Sequence, residues 1–150
     1  MDATPTPEDP WARPPGVDDA TVEATGAVSE ALEWVERARG HLYEFHQVMG
    51  HADLTFGEAA DLLAAAGHDE AAALVRRDVV GRNVLEGRWT FQIVEEFDDD
   101  YYQPVAAVER QVRDTLVAGR RHLFESELKD ERRSRARRHH ERRPGDAPGT

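Results

Sequence analysis

Seven histidines offer the plainest route to chemistry, because a neutral imidazole can bind a metal or move a proton near neutral pH. His41, His46 and His51 follow one another at five-residue intervals. In a helix that interval turns the chain by about 140°, so the three do not share a face. A metal site would have to combine His41 and His46 with His122 from a later element, as in four-helix enzymes that hold a metal on three histidines. His41 and Glu44 reverse the Glu-x-x-His spacing of helical carboxylate sites, and Glu44 falls far from the apolar stripe. The competing expectation is that these residues sit at the boundary of the core, apolar ring inward and polar tip outward.

The second candidate is the stretch from Gly81 to Tyr102. It holds five of the chain's eleven aromatic residues, the single Asn83, two arginines beside glycines and an acidic run. Aromatics with a few convergent polar groups are what a small-ligand pocket requires. In that reading Arg82 and Arg88 hold an anion, Trp89 and Tyr101 form walls, and Asn83, Gln92 and Glu95 supply polar contacts. The plainer expectation is that aromatics at four-residue spacing fill a core and that the Asp run caps or solvates a helix. Glu109 and Glu127 fall near the apolar stripe of the last helix. A buried carboxylate there could act as acid or base, but an internal ion pair with Arg113 or Arg120 is the simpler expectation. The chain has no phosphate-binding Gly-rich loop with Lys, no Gly-x-Ser-x-Gly, no His-Glu-x-x-His and no EF-hand loop. No cofactor follows from these residues.

The block Gly81–Tyr102, with Gly119-Arg120-Arg121-His122 and Glu125–Lys129 downstream, resembles the recurring text of a small all-helical family with no assigned function. The resemblance spans roughly residues 28–133. It implies a helical fold and carries no residue roles with it.

Helices must position all these groups. Val28, Ala31, Val35, Ala38, Leu42, Phe45 and Met49 recur at threes and fours, which predicts a helix from Val28 to Met49 stopped by Gly50. Gly40 inside it suggests a close neighbour. Thr55 and Glu58 read as a capping box that starts a second helix, ended by Gly67. Asp69 reads as the N-cap of a third, running to Gly81. From Trp89 to Tyr102 the apolar residues fit a strand or a helix. Helix is preferred, because a lone strand would leave its backbone unpaired. Pro104 fits the first turn of a last helix continuing to about Arg138. The expected fold is all-α, an irregular antiparallel bundle of four to five helices with disordered termini. Residues 1–25 read as a disordered, acidic, Pro-rich arm, 26–130 as the helical domain, and 131–150 as an Arg-rich tail, partly helical and then disordered.

Thirty acidic residues stand against one lysine, Lys129, and the net charge is −11. Such a charge is self-repelling in dilute buffer and is screened when salt shortens the Debye length to about 3 Å. This points to a chain adapted to high salt, with a GC-rich genome contributing to the exchange of Lys for Arg. The absence of cysteine excludes disulfides and thiol chemistry. The absence of an apolar leader or span suggests a cytoplasmic location without membrane contact. Seven arginines from Arg132 to Arg143 could touch nucleic acid, but the acidic remainder opposes it. The tail would pair instead with the acidic arm or a neighbouring subunit. The leading expectation is a non-enzymatic interaction module with a protein partner, or self-associated as a homodimer. The alternative is a metal- or small-ligand-dependent helical-bundle enzyme using His41, His46 and the Arg82–Tyr102 segment.

Overall fold

The computed structural model describes residues 9–146. In chain order the elements are α1 (Asp19–Ala65), α2 (Asp69–Asp78), α3 (Thr90–Phe97), a π-helical turn (Asp98–Tyr102), α4 (Gln103–Val117) and α5 (Leu123–Arg132). The chain is all-α. Among the described residues the only extended pairing is an isolated bridge between Leu85 and Arg88. No described helix is long and apolar enough to cross a membrane. Two compact units divide the chain: residues 33–106, and residues 1–32 together with 107–150.

α1 starts earlier and ends later than apolar periodicity predicts. Asp18 caps it, accepting the Thr21 amide at 2.8 Å. Hydrogen bonds from Thr21 hold the Asp18 carboxyl below its ordinary range. The helix therefore begins inside the stretch expected to be an arm, and Val22 is buried there. The rest of that arm before Asp9, and the tail beyond Asp146, lie outside the described residues. Gly50 does not stop α1. A glycine costs a helix interior only about 1 kcal/mol, and the helix runs on to Ala65. The expected capping box is consequently not a cap: the Thr55 hydroxyl donates back to the His51 carbonyl at 2.9 Å, as a mid-helix threonine does. Among the described residues nothing comes within 4 Å of where a Cβ at Gly40 would stand. The real stop is Gly67, at φ 83°, where the His68 amide reaches Leu63 O at 2.8 Å and the Gly67 amide reaches Ala64 O at 3.0 Å.

Within residues 33–106, α1 is tied to every later element. The Asp53 carboxylate accepts the Gly81 amide at 2.7 Å, just beyond α2, and Asp61 pairs with Arg76 of α2 at 2.6 Å. Ala60 of α1 and Ala72 of α2 are almost wholly buried. His68, not Asp69, is the N-cap of α2, and Asp69 and Glu70 occupy its first turn. The segment after Trp89 is helical, as preferred over a strand. Thr90 to Val117 is one uninterrupted helix carrying a π turn, in which the Gln103 amide bonds to Asp98 O. Pro104 thus does not open a separate helix. It lacks an N–H, and the widened turn lies immediately before it.

In the other unit, Val22, Val117 and Leu123 form the core, with Val17 against them. The last helix is broken rather than continuous to Arg138. Ala118 (φ 52°), Gly119 (φ 72°) and His122 (φ 55°) are left-handed, which turns the chain between α4 and α5. Glu109 is buried and takes the expected internal ion pair with Arg113, at 3.0 Å, and accepts the Ser29 hydroxyl at 2.9 Å. After α5, Asp130 meets both Arg133 (2.7 Å) and Arg142 (3.6 Å), and Arg143 reaches Asp9 at 2.9 Å. The basic tail therefore does close on the acidic N-terminal segment.

Candidate interaction surface and the expected site residues

The residues expected to line a pocket between Arg82 and Tyr102 engage near neighbours along the chain. Arg82 donates to the Asp78 carbonyl at 3.4 Å, and Asn83 is exposed. Arg88 pairs with Glu96 at 2.6 Å. The Trp89 amide donates to the Gln92 side-chain oxygen at 2.7 Å, so Gln92 caps α3. Glu95 is exposed, and Tyr101 is half exposed against the Phe97 ring, 5.5 Å away. The two arginines are thus matched by a carbonyl and a carboxylate close by in the chain.

The histidines also separate. His46 shares a 2.7 Å hydrogen bond with the fully buried Thr90, which fastens α1 to the start of α3. His41 lies on another side of α1, exposed and 3.5 Å from Glu44. His122 belongs to the other unit, where it begins α5 and lies 3.6 Å from Glu125. Among the described residues no group of three or more His, Asp or Glu side chains is placed to hold a metal ion. His46 is the one that behaves as a boundary residue, ring inward and nitrogen bonded.

Sequence reading missed the best-organised polar cluster. Arg39 is held by both oxygens of Asp98, at 2.8 and 3.0 Å, and its guanidinium lies over the Tyr43 and Tyr102 rings, 5.1 and 4.4 Å from their centroids. Tyr43 donates to Asp98 at 3.1 Å, and Tyr102 donates to Glu36 at 2.5 Å. The Arg39 guanidinium pulls the Asp98 carboxyl below its ordinary range, against the effect of partial burial. The Glu36 carboxylate raises Tyr102. Every charge in the cluster has a partner, so its chemistry is that of a clasp between α1 and the π turn. The i, i+3 and i+4 spacing of Glu36, Arg39 and Tyr43 was readable. The partners more than fifty residues away were not.

A second cluster, in the other unit, gathers on the stretch expected to be a disordered arm. Trp11 stands beside a cleft of about 480 Å³ that is also lined by Arg13, Ser126, Glu127, Asp130 and Arg143. Arg13 grips Glu127 with two bonds of 2.9 Å and reaches Asp19 at 2.6 Å. Arg120 donates to the Asp9 carbonyl at 3.1 Å and to that of Ala12 at 2.5 Å. Burial would raise the Asp9 carboxyl, but the Trp11 amide and Arg143 outweigh it and hold it low. The cleft is bordered by matched charges, which suits a structural web better than an anion receptor.

On α1 one side stays uncovered, and it is apolar. α1 turns one face to the clasp, to His46–Thr90 and to Asp53–Gly81. On the other side Trp34, Phe45, Val48 and Leu62 are 60%, 41%, 59% and 71% exposed. Arg37 lies over the Trp34 ring, 4.5 Å from its centroid, without covering it. Large apolar side chains aligned on one side of a helix are the usual mark of a docking surface. No protein-family model matches the chain, and neither does any curated protein or solved structure, so the functional reading rests on this surface and on the internal matching of the polar clusters described above.

Proposed function

We propose that the protein is a non-enzymatic helical interaction module, working as a homodimer in a salt-rich cytoplasm. The observation that carries this reading is the exposed apolar side of α1, which lies opposite a side whose polar groups are all engaged within the chain. A small-ligand or metal-dependent enzyme draws less support, since His41, His46, Arg82 and Arg88 each engage a partner within the chain.

Charge shapes how such a module behaves. Two copies bring net charges of −11 together and repel at low ionic strength. Molar KCl screens that repulsion and leaves apolar contact undiminished. Self-association should therefore tighten with salt. Light scattering on the intact chain, at roughly 0.15 M and several molar KCl, tests this. We expect a dimer whose dissociation constant falls as KCl rises. Trp34→Ala should weaken it by about two orders of magnitude, because two half-exposed indoles leave water on pairing. A chain that stays monomeric to about 100 µM in both buffers would overturn the reading.

A further inference from the structure

The exposed side of α1 specifies more than adhesion. Trp34, Ala38, His41, Phe45, Val48, Ala52, Thr55 and Ala59 succeed one another at alternating intervals of four and three residues, and each is at least partly exposed. That is the seam spacing of a two-stranded coiled coil. Four charged or titratable residues run along one flank of it: Arg37, Glu44, His51 and Glu58. The opposite flank, Val35, Leu42, Met49, Phe56 and Leu63, is apolar throughout.

Resting on the homodimer reading above, we propose that two copies pair antiparallel along α1, with the two-fold axis at the level of His46 and Gln47. Two independent features select this arrangement. The first is steric. Pairing about that centre sets Trp34 against Ala59 of the partner subunit, Ala38 against Thr55, His41 against Ala52, and Phe45 against Val48. Each bulky ring meets a smaller residue, which is how facing layers interdigitate. The second is electrostatic. In an antiparallel pair the flanking positions face their own kind across the axis, so Arg37 meets Glu58 of the partner subunit and Glu44 meets His51. Each of these contacts occurs twice by symmetry.

A parallel pair fails on both counts. It stacks Trp34 on Trp34 and His41 on His41. It also sets Arg37, Glu44 and His51 opposite Leu42, Met49 and Phe56, leaving every flanking charge without a partner. The side chains involved are free to make the exchange. Among the described residues Arg37 is engaged with the Trp34 ring alone, and His41 and Glu44 form their ion pair with each other.

The register gives a distance that can be read directly. The chain has no cysteine, so Glu33→Cys carries a single nitroxide per copy. At about 1.5 Å of rise per residue, two labels on antiparallel helices centred between His46 and Gln47 stand about 40 Å apart. On parallel helices they stand within about 10 to 15 Å. Pulsed dipolar spectroscopy on the full chain separates the cases. A distance near 40 Å supports the proposal. A short distance overturns the antiparallel register and leaves the homodimer reading standing. No dipolar coupling at concentrations where scattering is also monomeric overturns both. Charge exchange supplies the second test, at roughly 0.15 M salt so that the flank is not screened. Arg37→Glu should weaken the dimer about tenfold by setting Glu against Glu58, and Arg37→Glu with Glu58→Arg should restore it. A double variant as weak as the single one would also overturn the register. Helix content by circular dichroism should stay constant across the set, since both positions are exposed in the single chain.

Discussion

Replacing Glu109 by alanine tests whether the buried ion pair holds its unit together. Glu109 and Arg113 keep only 10% and 12% of their side-chain surface, so the pair is largely dehydrated. Removing one member of such a pair leaves a buried charge uncompensated, at a cost of about 3–5 kcal/mol. Arg113 would retain the Gly119 carbonyl at 2.8 Å, which places the expected loss at the low end, about 3 kcal/mol. In urea that corresponds to a midpoint lower by about 1–2 M. The double variant Glu109→Leu with Arg113→Met should recover most of the loss, because an apolar pair of similar volume needs no charge compensation. The pH dependence has a definite sign. Burial alone would raise the Glu109 carboxyl, but hydrogen bonds from Arg113 and Ser29 more than offset it, and the folded value lies below the ordinary one near 4.5. A lowered carboxyl stabilises the fold above its unfolded pKa and loses that contribution as pH falls through the folded value. The difference between wild type and Glu109→Ala should therefore be full at pH 7 and shrink below about pH 4.5. Urea titrations followed by circular dichroism at several pH values measure it. A midpoint shift under about 0.5 M at neutral pH would show that the pair is effectively solvated, and would refute the reasoning.

The corner between α4 and α5 makes two opposed predictions. Ala118→Gly should stabilise by about 1 kcal/mol, because φ 52° strains a residue that has a Cβ. Gly119→Ala should destabilise, since φ is 72° and a Cβ there would come within 3.0 Å of the Asp114 carboxylate. Thermal unfolding distinguishes them, and equal effects of the same sign would refute the strain argument. The Ser126 hydroxyl is buried with no hydrogen-bond partner among the described residues. Ser126→Ala should leave the melting temperature unchanged or raise it, and a drop of several degrees would show that the hydroxyl has work to do.

Helical class was legible because periodicity at threes and fours dominates this chain. The Trp89–Tyr102 segment was correctly helical for a negative reason, the lack of a strand partner. The length of α1 was not legible. Gly50 and the Thr55–Glu58 pair are local stop and start signals of about 1 kcal/mol each, and the engaged side of α1, with Asp53 and Ala60 on it, runs past both. The break after Val117 hides in Ala-Gly, which gives no warning that alanine itself is left-handed. The candidate pocket between Arg82 and Tyr102 was read from composition, and composition cannot tell convergent side chains from neighbours that satisfy one another. The exposed seam of α1 was visible in part, since Ala38 and Phe45 belong to the stripe read as core. Their neighbours Trp34, His41 and Val48 lie on the outward side, and only the structure separates the two faces.

The π turn at Asp98–Tyr102 has a bearing on how this sequence can vary. A wide turn acts as a phase shifter: it takes up one residue beyond the α-helical repeat, so the pattern before Asp98 and the pattern after Tyr102 are out of step by about 100°. The widened turn absorbs that residue, so its loss would restore an ordinary helix and leave the residues from Gln103 onward facing as they do. Asp99 and Asp100 are exposed, so their chemical identity is almost free. To within one residue, so is their number. Here the chain tolerates substitution and a one-codon deletion alike, whereas the same deletion in the regular turns on either side would rotate everything beyond it by about 100°.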